Sequence, residues 1–313
     1  MPFRIVERKF SENENLPTVL LANIYGSPSV QCNLDKMDKI IEIAHNKNVN
    51  IVVFPELSVT GYIWNTKHQE QITDLLAEGE NNRIRSWLKN VRNSLHSNAN
   101  RLEYIIYGNV RKRLNSYFNC VFILCPEFDY RSEDKIYAKV FLTPIEKTYF
   151  RQGTDKRLSI DTRWGKFGFL VCYDLCYVEL PRQYAFIDNV DAIVTIAAWR
   201  SQAIREYSNM NIRTDHYYGF LWDLMNSSKA AYNQVWSLGI NWVGRHQKGK
   251  EYFWGGSGIW APSGMKLLQA SNINEELLII RNVDIKEQSI KEKDDFNYRI
   301  DFEHFYRNLV YKD

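Results

Sequence analysis

The sequence predicts a layered α/β fold, and three observations lead to this prediction. The chain has 313 residues, of which 45% are hydrophobic, and this is enough to bury a substantial core. Strand-like and helix-like segments alternate along it, which is typical of helices layered on sheets. Several strand-like runs, such as 50–54 and 191–197, are mostly apolar and rich in β-branched residues, as in strands with both faces buried. No break in composition divides the chain, so we expect one principal domain.

The first half of the chain predicts helices at two places between strands. Apolar residues at 34, 37, 40, 41 and 44 repeat with the helical period and predict a helix over 34–44. A second helix is predicted over 80–98, where apolar side chains again share one face. The polar residues 7–16 are predicted to form a loose N-terminal extension. Apolar runs predict strands at 19–24, 50–54, 104–110, 119–125 and 134–138.

The second half continues the alternation and ends in a different kind of segment. Helical patterns cover 176–187 and about 214–233. From about residue 286 the chain is charged and rich in aromatic residues. We therefore expect a domain over 1–285 and a tail over 286–313. The tail is expected to dock on a protein surface, at an interface with another subunit. Strands are predicted at 167–171, 191–197, 235–241, 257–261 and 277–284.

Composition and charge exclude several classes of protein. The apolar content is too high for a disordered chain, and 15 Gly with 8 Pro are too few for a collagen-like or mucin-like one. The formal charge is +3, from 40 basic and 37 acidic residues mixed along the chain. The densest basic run, Arg111 to Arg113, is short, and a solvated face explains it. We therefore expect no nucleic-acid partner.

The cysteines and the N-terminus suggest where the protein works. The five cysteines are an odd number, and they lack the paired spacing of a structural zinc site. A chain of this size needs no disulfide framework, so free thiols are expected and no metal is predicted. The N-terminus has no apolar signal segment, and the apolar run 190–199 is far shorter than a membrane span. We expect a cytoplasmic protein with no membrane partner.

Three reactive side chains lie where predicted apolar strands end. Glu56 follows an apolar strand, and burial there would raise its pKa for proton transfer, although it could equally cap a helix or pair with a cation. Cys172 lies at a strand-to-helix turn, as a nucleophile or as a buried structural cysteine. Lys139 lies in an apolar stretch, either to stabilise negative charge or as a lysine extending to solvent. Together they would supply a base, a nucleophile and a cation.

The order of these segments resembles the nitrilase, or carbon–nitrogen hydrolase, superfamily. The resemblance covers about residues 18–285 and rests on several stretches in register. Asn241, Gly244, the glycines at 256 and 258, Pro262 and Gly264 resemble its later stretches. The segments that resemble its catalytic signatures are VFPELSVTGY at 53–62, KVFL at 139–142, IEKTYFRQG at 145–153, FLVCYDL at 169–175 and ELPR at 179–182.

The resemblance implies a fold, an assembly and a mechanism. Members have a four-layer α-β-β-α sandwich and form dimers through the outer helices, often with the C-terminal tail crossing over. By position, Cys172 would be the nucleophile, Glu56 the general base and Lys139 the oxyanion stabiliser. Glu146 would position substrate or assist proton transfer, and the backbone N–H of Tyr173 would be the second oxyanion donor. No metal or organic cofactor is implied, so a small-molecule substrate is the expected partner, in a homodimer or higher homo-oligomer.

The residues after the nucleophile favour one reaction. Tyr173-Asp174 is similar to amidases and carbamoylases, whereas nitrilases usually have Trp-Glu there. We therefore predict hydrolysis of an amide or N-carbamoyl C–N bond through a thioester. The alternatives are a nitrilase acting on an aliphatic nitrile and a non-catalytic binding member of the family. Positions near the nucleophile depart from the family pattern, with Cys176 and Val178 in place of commoner residues, which puts the substrate in doubt more than the catalysis.

Four residues are predicted to bind substrate. Tyr62 belongs to the first catalytic signature and Tyr173 directly follows the nucleophile. Trp199 and Arg200 follow the strand after the nucleophile, and so they should border the pocket. The arginine could hold a substrate carboxylate through two hydrogen bonds, and the indole could form a wall. A solvated arginine and a core tryptophan are the alternatives.

Overall fold

The computed structural model describes residues 3–62, 69–79, 81–95, 101–126, 133–154, 156–245 and 252–310. Its helices are α1 (Val30–Asn46), α2 (Gln69–Glu78), α3 (Asn82–Leu95), α4 (Glu179–Phe186), α5 (Tyr217–Asn233), α6 (Ile285–Asp295) and α7 (Tyr298–Val310). The strands of the first half are β1 (Arg4–Lys9), β2 (Val19–Asn23), β3 (Ile51–Val53), β4 (Tyr104–Arg113), β5 (Ser116–Leu124) and β6 (Ile136–Ala138). Those of the second half are β7 (Ser159–Thr162), β8 (Gly165–Val171), β9 (Ala192–Ala197), β10 (Arg205–Tyr207), β11 (Ile212–Thr214), β12 (Trp236–Asn241), β13 (Val243–Arg245), β14 (Tyr252–Trp254), β15 (Gly258–Trp260), β16 (Lys266–Gln269) and β17 (Glu276–Arg281).

Two large mixed sheets organise the described residues. One has seven strands in the order β1-β17-β2-β3-β4-β5-β6, and the other has six in the order β16-β15-β12-β9-β8-β7. The pairs β2–β3, β3–β4, β8–β9 and β9–β12 are parallel. Because these strands run the same way, their carboxyl ends lie together at one edge of each sheet. Glu56 follows β3 and Cys172 follows β8 at such ends.

Three apolar clusters separate four layers. Leu20 of β2 packs with Met37 and Ile40 of α1 on one face of the first sheet, while Leu21 packs with Phe169 of β8 between the sheets. On the far side of the second sheet, side chains of β8 and β9 pack against α4. The predicted four-layer α-β-β-α sandwich is therefore confirmed, and the mostly apolar strands are those with helices on one face and a sheet on the other.

The expectation of a loose N-terminal extension over 7–16 is wrong for its first residues. Arg4–Lys9 forms strand β1, which pairs in parallel with β17 along its whole length. No apolar alternation marks this strand, because the side chains of β1 are almost all exposed. Backbone hydrogen bonds, and an ion pair between Arg4 and the buried Glu276, hold it at the sheet edge.

The tail from residue 285 forms helices α6 and α7 against the body of its own chain. The side-chain amide of Gln234, at the end of α5, donates to the carbonyl oxygens of Glu292 at 2.9 Å and Phe296 at 2.6 Å. Further along, the ring of Phe302 lies 5.6 Å from that of Phe186 on α4. The tail thus extends the outer helical layer. Among the helices of the described residues, none combines the length and apolar character needed to cross a bilayer.

Lys229 of α5 supplies a test of this packing. It is buried, its Nζ donates to Thr195 Oγ1 of β9 at 2.6 Å, and burial lowers its pKa well below 10.5. The folded protein therefore binds fewer protons than the unfolded one between the lowered and the usual pKa, so stability increases with pH in that window. We expect Lys229→Met to raise the melting temperature at neutral pH by roughly 3 °C and to flatten this pH dependence.

Thermal unfolding at a series of pH values would measure both effects. Lys266→Met is the matched control, since that lysine is part-exposed beside Asp223 and should leave the pH slope unchanged. A Lys229→Met variant that keeps the wild-type slope would show that Lys229 is charged in the folded protein.

Candidate active site

A buried lysine lies between two buried glutamates. Lys139 Nζ is 2.8 Å from Glu56 Oε1 and 2.7 Å from Glu146 Oε1, and all three side chains are fully buried. Asn119 Nδ2 of β5 donates to the same two oxygens, at 2.6 and 3.1 Å. Buried charges persist only when they are paired and hydrogen-bonded, and this cluster meets both conditions.

The turn after β3 fixes Glu56. The backbone N–H of Ala198 donates to Glu56 Oε2 at 2.7 Å, and the indole N–H of Trp242 donates to the Glu56 carbonyl oxygen at 2.7 Å. The turn passes close to β4 at Gly108, where an added Cβ would lie 2.3 Å from the Leu57 nitrogen. Glycine at this position therefore lets the glutamate approach the sheet.

Short local contacts fix Lys139 and Glu146. Lys139 directly follows β6; its backbone N–H donates to the Asn119 carbonyl oxygen and its carbonyl accepts from Gly153, each at 2.8 Å. Glu146 begins a short 3-10 turn, and its Oε2 accepts from Thr143, from the backbone N–H at 2.8 Å and from Oγ1 at 2.9 Å. Each oxygen of Glu146 thus has its own donors.

Cys172 begins a 3-10 turn directly after β8 and has a φ of +47°, in the left-handed region that residues with a Cβ seldom adopt. Asp174 holds this turn: its carboxylate accepts from the Val171 N–H at 3.1 Å, the Phe141 N–H at 2.8 Å and the Tyr137 hydroxyl at 2.8 Å. Burial raises the pKa of Asp174 to about 6. The carboxylate therefore ties the cysteine turn to the segment that carries the site lysine, at the cost of a strained backbone.

Burial and charge set the protonation states. Burial acts to lower the pKa of Lys139, but the charges of Glu146 and Glu56 outweigh it and hold that pKa well above its usual value. Burial acts to raise the pKa of Glu146, but Lys139 and Thr143 hold it below the usual value. Burial raises the pKa of Glu56, although the charge of Lys139 acts to lower it. Burial and the charge of Glu56 together raise the pKa of the Cys172 thiol well above its usual value. The resting site therefore contains a neutral thiol beside a carboxylate that protonates readily.

A family model described as carbon-nitrogen hydrolase matches residues 21–290. The chain belongs to the carbon-nitrogen hydrolase family. The resemblance to the nitrilase superfamily is confirmed by this match, which covers the catalytic signatures at 53–62 and 169–175.

The relatives of this chain include proteins named as a probable nitrilase and as an amidase. It is 28% identical over 262 residues to probable nitrilase C965.09 of Schizosaccharomyces pombe, covering 82% of this chain and 84% of that one. It is 26% identical over 269 residues to 2-oxoglutaramate amidase of Bacillus subtilis, covering 85% and 88%. A carbon-nitrogen hydrolase structure from Helicobacter pylori G27 matches with a TM-score of 0.75 at 20% identity, over 96% and 99% of the chains. This structural likeness shows the shared fold.

The predicted catalytic residues of this chain lie together. Glu56, Lys139 and Glu146 form the hydrogen-bonded cluster, and Cys172 is close enough for the charges of all three to act on its thiol. Their catalytic roles stay predictions. The arrangement can deliver a proton acceptor, a cation and a nucleophile to one substrate group.

The predicted substrate-binding residues lie in different surroundings. Tyr62 is buried, its ring meets that of Phe253 edge-on at 6.2 Å, and burial with the charges of Glu146 and Glu56 raises the pKa of its hydroxyl well above the usual value. Trp199 is also buried, but its indole N–H donates to the Tyr218 carbonyl oxygen at 2.7 Å, towards α5. Tyr62 thus lies beside the site, whereas the Trp199 ring packs into the core.

The other two predicted substrate-binding residues are half-buried. The ring of Tyr173 lies edge-on to that of Tyr177 at 5.4 Å. Arg200 forms a β-bridge with Phe253 through its backbone. Both are accessible enough to meet a substrate, and contact with one stays a prediction for all four residues.

Sequence reasoning missed the supporting residues. From the sequence, Asn119 is placed in a predicted strand and Asn241 in a stretch that resembles the family. Asp174 serves there only to distinguish amidases from nitrilases. Each is fully buried. A polar side chain inside or directly beside an apolar run is the one signal that could have found them, since a buried amide or carboxylate needs partners.

Proposed function

We propose that this carbon-nitrogen hydrolase is a cysteine-dependent amidohydrolase, which cleaves an amide or N-carbamoyl C–N bond of a small molecule through a thioester. The observation that carries the proposal is the lysine held at 2.8 and 2.7 Å from two buried glutamates beside a cysteine on a strained turn. A binding module has no physical need for a buried base, cation and thiol together.

In the proposed mechanism Glu56 accepts the Cys172 proton as the sulfur attacks the carbonyl carbon. Lys139 and the backbone N–H of Tyr173 stabilise the tetrahedral oxyanion. Glu56 then gives its proton to the leaving nitrogen, the C–N bond breaks, and ammonia or an amine departs from the thioester. A water molecule that gives its proton to Glu56 attacks the thioester, and the thiolate leaves and regains that proton. Glu146 keeps Lys139 charged and in place.

Two kinds of support favour an amide over a nitrile. The residues after the nucleophile, Tyr173 and Asp174, are those expected of amidases and carbamoylases, and Asp174 holds the turn through three hydrogen bonds. One relative is named 2-oxoglutaramate amidase, and a matching structure at a TM-score of 0.66 is an amidase from Nesterenkonia sp.. The name probable nitrilase on another relative keeps nitrile hydrolysis as the second candidate.

An ammonia-release assay would test the proposal over short amides, ω-amides of dicarboxylic acids, N-carbamoyl amino acids, ureido acids and aliphatic nitriles. Cys172→Ala should abolish release, whereas Cys176→Ala, which removes a half-buried thiol one turn further on, should retain it. Release from nitriles alone would replace the amidase proposal with the nitrilase one. If no compound releases ammonia and iodoacetamide does not alkylate Cys172, the result would favour a binding protein.

The protonation states predict the pH profile of this reaction. Only ionised Glu56 can accept the thiol proton, and burial raises its pKa above 4.5. We therefore expect kcat/KM to rise with pH through an apparent pKa above the ordinary glutamate range. The Lys139 charge persists at alkaline pH because its pKa lies well above 10.5. A profile of kcat/KM, with melting temperatures at each pH as the folding control, measures this, and an acid limb at or below 4.5 would contradict it.

We propose that a second copy of the chain covers the outer helical face. Apolar side chains on and beside α4, α5 and α7 are 45–69% exposed there, namely Val178, Ile187, Phe220, Leu224 and Phe305. We expect a dimer in solution by sedimentation, and Phe220→Glu should dissociate it, since the dimer would bury that carboxylate. Leu114→Glu is the control, because Leu114 is 94% exposed in the turn between β4 and β5. A monomeric wild type would overturn the proposal.

A further inference from the structure

A buried asparagine clamps the backbone next to the site. Asn241, the last residue of β12, accepts through Oδ1 from the Trp199 N–H at 2.7 Å and donates through Nδ2 to the Trp199 carbonyl oxygen at 3.1 Å. The same Nδ2 donates to the Gly255 carbonyl oxygen at 3.1 Å. One side chain thus holds both backbone groups of Trp199, and it is completely buried.

The residue before this clamp acts on two groups of the site. The backbone N–H of Ala198 donates to Glu56 Oε2 at 2.7 Å, and it also acts to lower the pKa of the Cys172 thiol. A donor that acts on both side chains stabilises negative charge on either, so its position affects the transfer of the proton between them. Fixing Trp199 fixes the neighbouring peptide, and Asn241 therefore acts on the pair without touching it.

A buried relay orients the clamp in turn. Ser257 Oγ accepts from the Asn241 backbone N–H at 2.9 Å, and its hydroxyl lies 2.9 Å from Asn23 Oδ1 on β2. Asn23 Nδ2 donates to the carbonyl oxygens of Ser271 and Asn274, each at 3.0 Å. Asn23, Ser257 and Asn241 are each fully buried, so the relay links the first sheet to the second inside the core. Buried polar networks of this kind rigidify what they hold.

We propose that Asn241 is a positioning residue that, through the Trp199 backbone, places the Ala198 N–H between Glu56 and Cys172, with Ser257 and Asn23 as its support. The turnover consequence rests on the proposed function, but the effect on the thiol does not.

The test combines turnover with alkylation of the thiol. In Asn241→Ala, we expect kcat/KM to fall about 10²-fold, mostly through kcat, because the Ala198 N–H moves off both groups. The acid limb of the pH profile should move to higher pH, since Glu56 loses a donor to its ionised form. The rate at which iodoacetamide alkylates Cys172, followed by peptide mass spectrometry, should fall at every pH below the thiol pKa.

A matched control separates positioning from stability. Asn50 is a similar buried clamp, which accepts from the Thr18 N–H at 2.8 Å and donates to the Arg101 carbonyl oxygen at 3.0 Å. It precedes β3, whereas Glu56 follows it, so it lies at the opposite end of the strand. Asn50→Ala should lower the melting temperature without changing the acid limb or the alkylation rate.

Two results would overturn the proposal. One is an Asn241→Ala variant that loses stability as Asn50→Ala does but keeps the wild-type acid limb and alkylation rate. If Asn241→Ala does not fold, Ser257→Ala removes only a hydroxyl of the relay and should give smaller shifts in the same directions. The second result that would overturn the proposal is a Ser257→Ala variant with the wild-type acid limb and alkylation rate. A wild type that hydrolyses no compound while the Cys172 alkylation rate still depends on Asn241 would instead refute the proposed function alone.

Discussion

Replacement of Lys139 by methionine is expected to abolish hydrolysis and to destabilise the folded protein by about 3–5 kcal/mol. The lysine is fully buried between Glu56 and Glu146, so its removal leaves carboxylates in the core without their cation. Urea unfolding would measure the loss. Lys156→Met is the control, because Lys156 pairs with Asp134 on an exposed surface and should contribute little.

The same variant should show a changed dependence of stability on pH, because the contribution of Glu146 reverses and that of Glu56 increases. Without Lys139 the pKa values of Glu56 and Glu146 rise in the folded protein, so the folded state binds more protons than the unfolded one. Their contribution to stability is then present below the usual glutamate pKa and is lost as pH rises through the raised values. Lys139→Met should therefore lose least stability in mild acid. An equal loss at all pH values would show that the glutamates do not carry the charge assigned to them.

Replacement of Glu56 by glutamine is expected to lower kcat by about 10³-fold or more while the protein still folds. An amide cannot accept the thiol proton, although it keeps the shape of the carboxylate. With its oxygen towards Lys139 and Asn119, its NH₂ group faces the Ala198 N–H, which loses its acceptor. We expect a moderate loss of stability of about 1–3 kcal/mol from this unsatisfied donor.

Steady-state kinetics and thermal unfolding would separate the two effects. Glu276→Gln is the control, since Glu276 is also buried but pairs with Arg4 and accepts from the Ser271 N–H at 2.7 Å rather than from the site lysine. It should lose stability and keep turnover. Normal turnover in Glu56→Gln would remove Glu56 as the base and leave Glu146 as the candidate.

Burial explains which elements could be predicted. Strands β2, β8 and β9 are largely buried on both faces and consist mostly of apolar residues, so their positions could be predicted closely. Strand β1 and the hairpin of β10 and β11 have exposed side chains, so no apolar pattern marks them. Their strand character comes from backbone pairing, which leaves no trace in side-chain composition.

The candidate site could be predicted in part for a similar reason. Glu56 and Lys139 are 83 residues apart, and spacing alone could not bring them together. Each is recognisable because it is a charged residue at the end of an apolar run. The resemblance to the family indicates that the two belong to one site. The contacts of Asn119 and Asn241 depend on which distant segments of the chain become neighbouring strands of a sheet, which no local pattern records.

The two oxygens of Glu56 are not equivalent. Oε1 accepts from Lys139 and Asn119, whereas Oε2 accepts from Ala198, whose N–H also acts to lower the pKa of the Cys172 thiol. Two donors, one of them a cation, draw electron density towards Oε1, so Oε2 is the more basic atom and faces the nucleophile. The carboxylate is therefore polarised before any substrate arrives. In the proposed mechanism Oε2 would then take up the proton in each half of the cycle, first from the thiol and later from water.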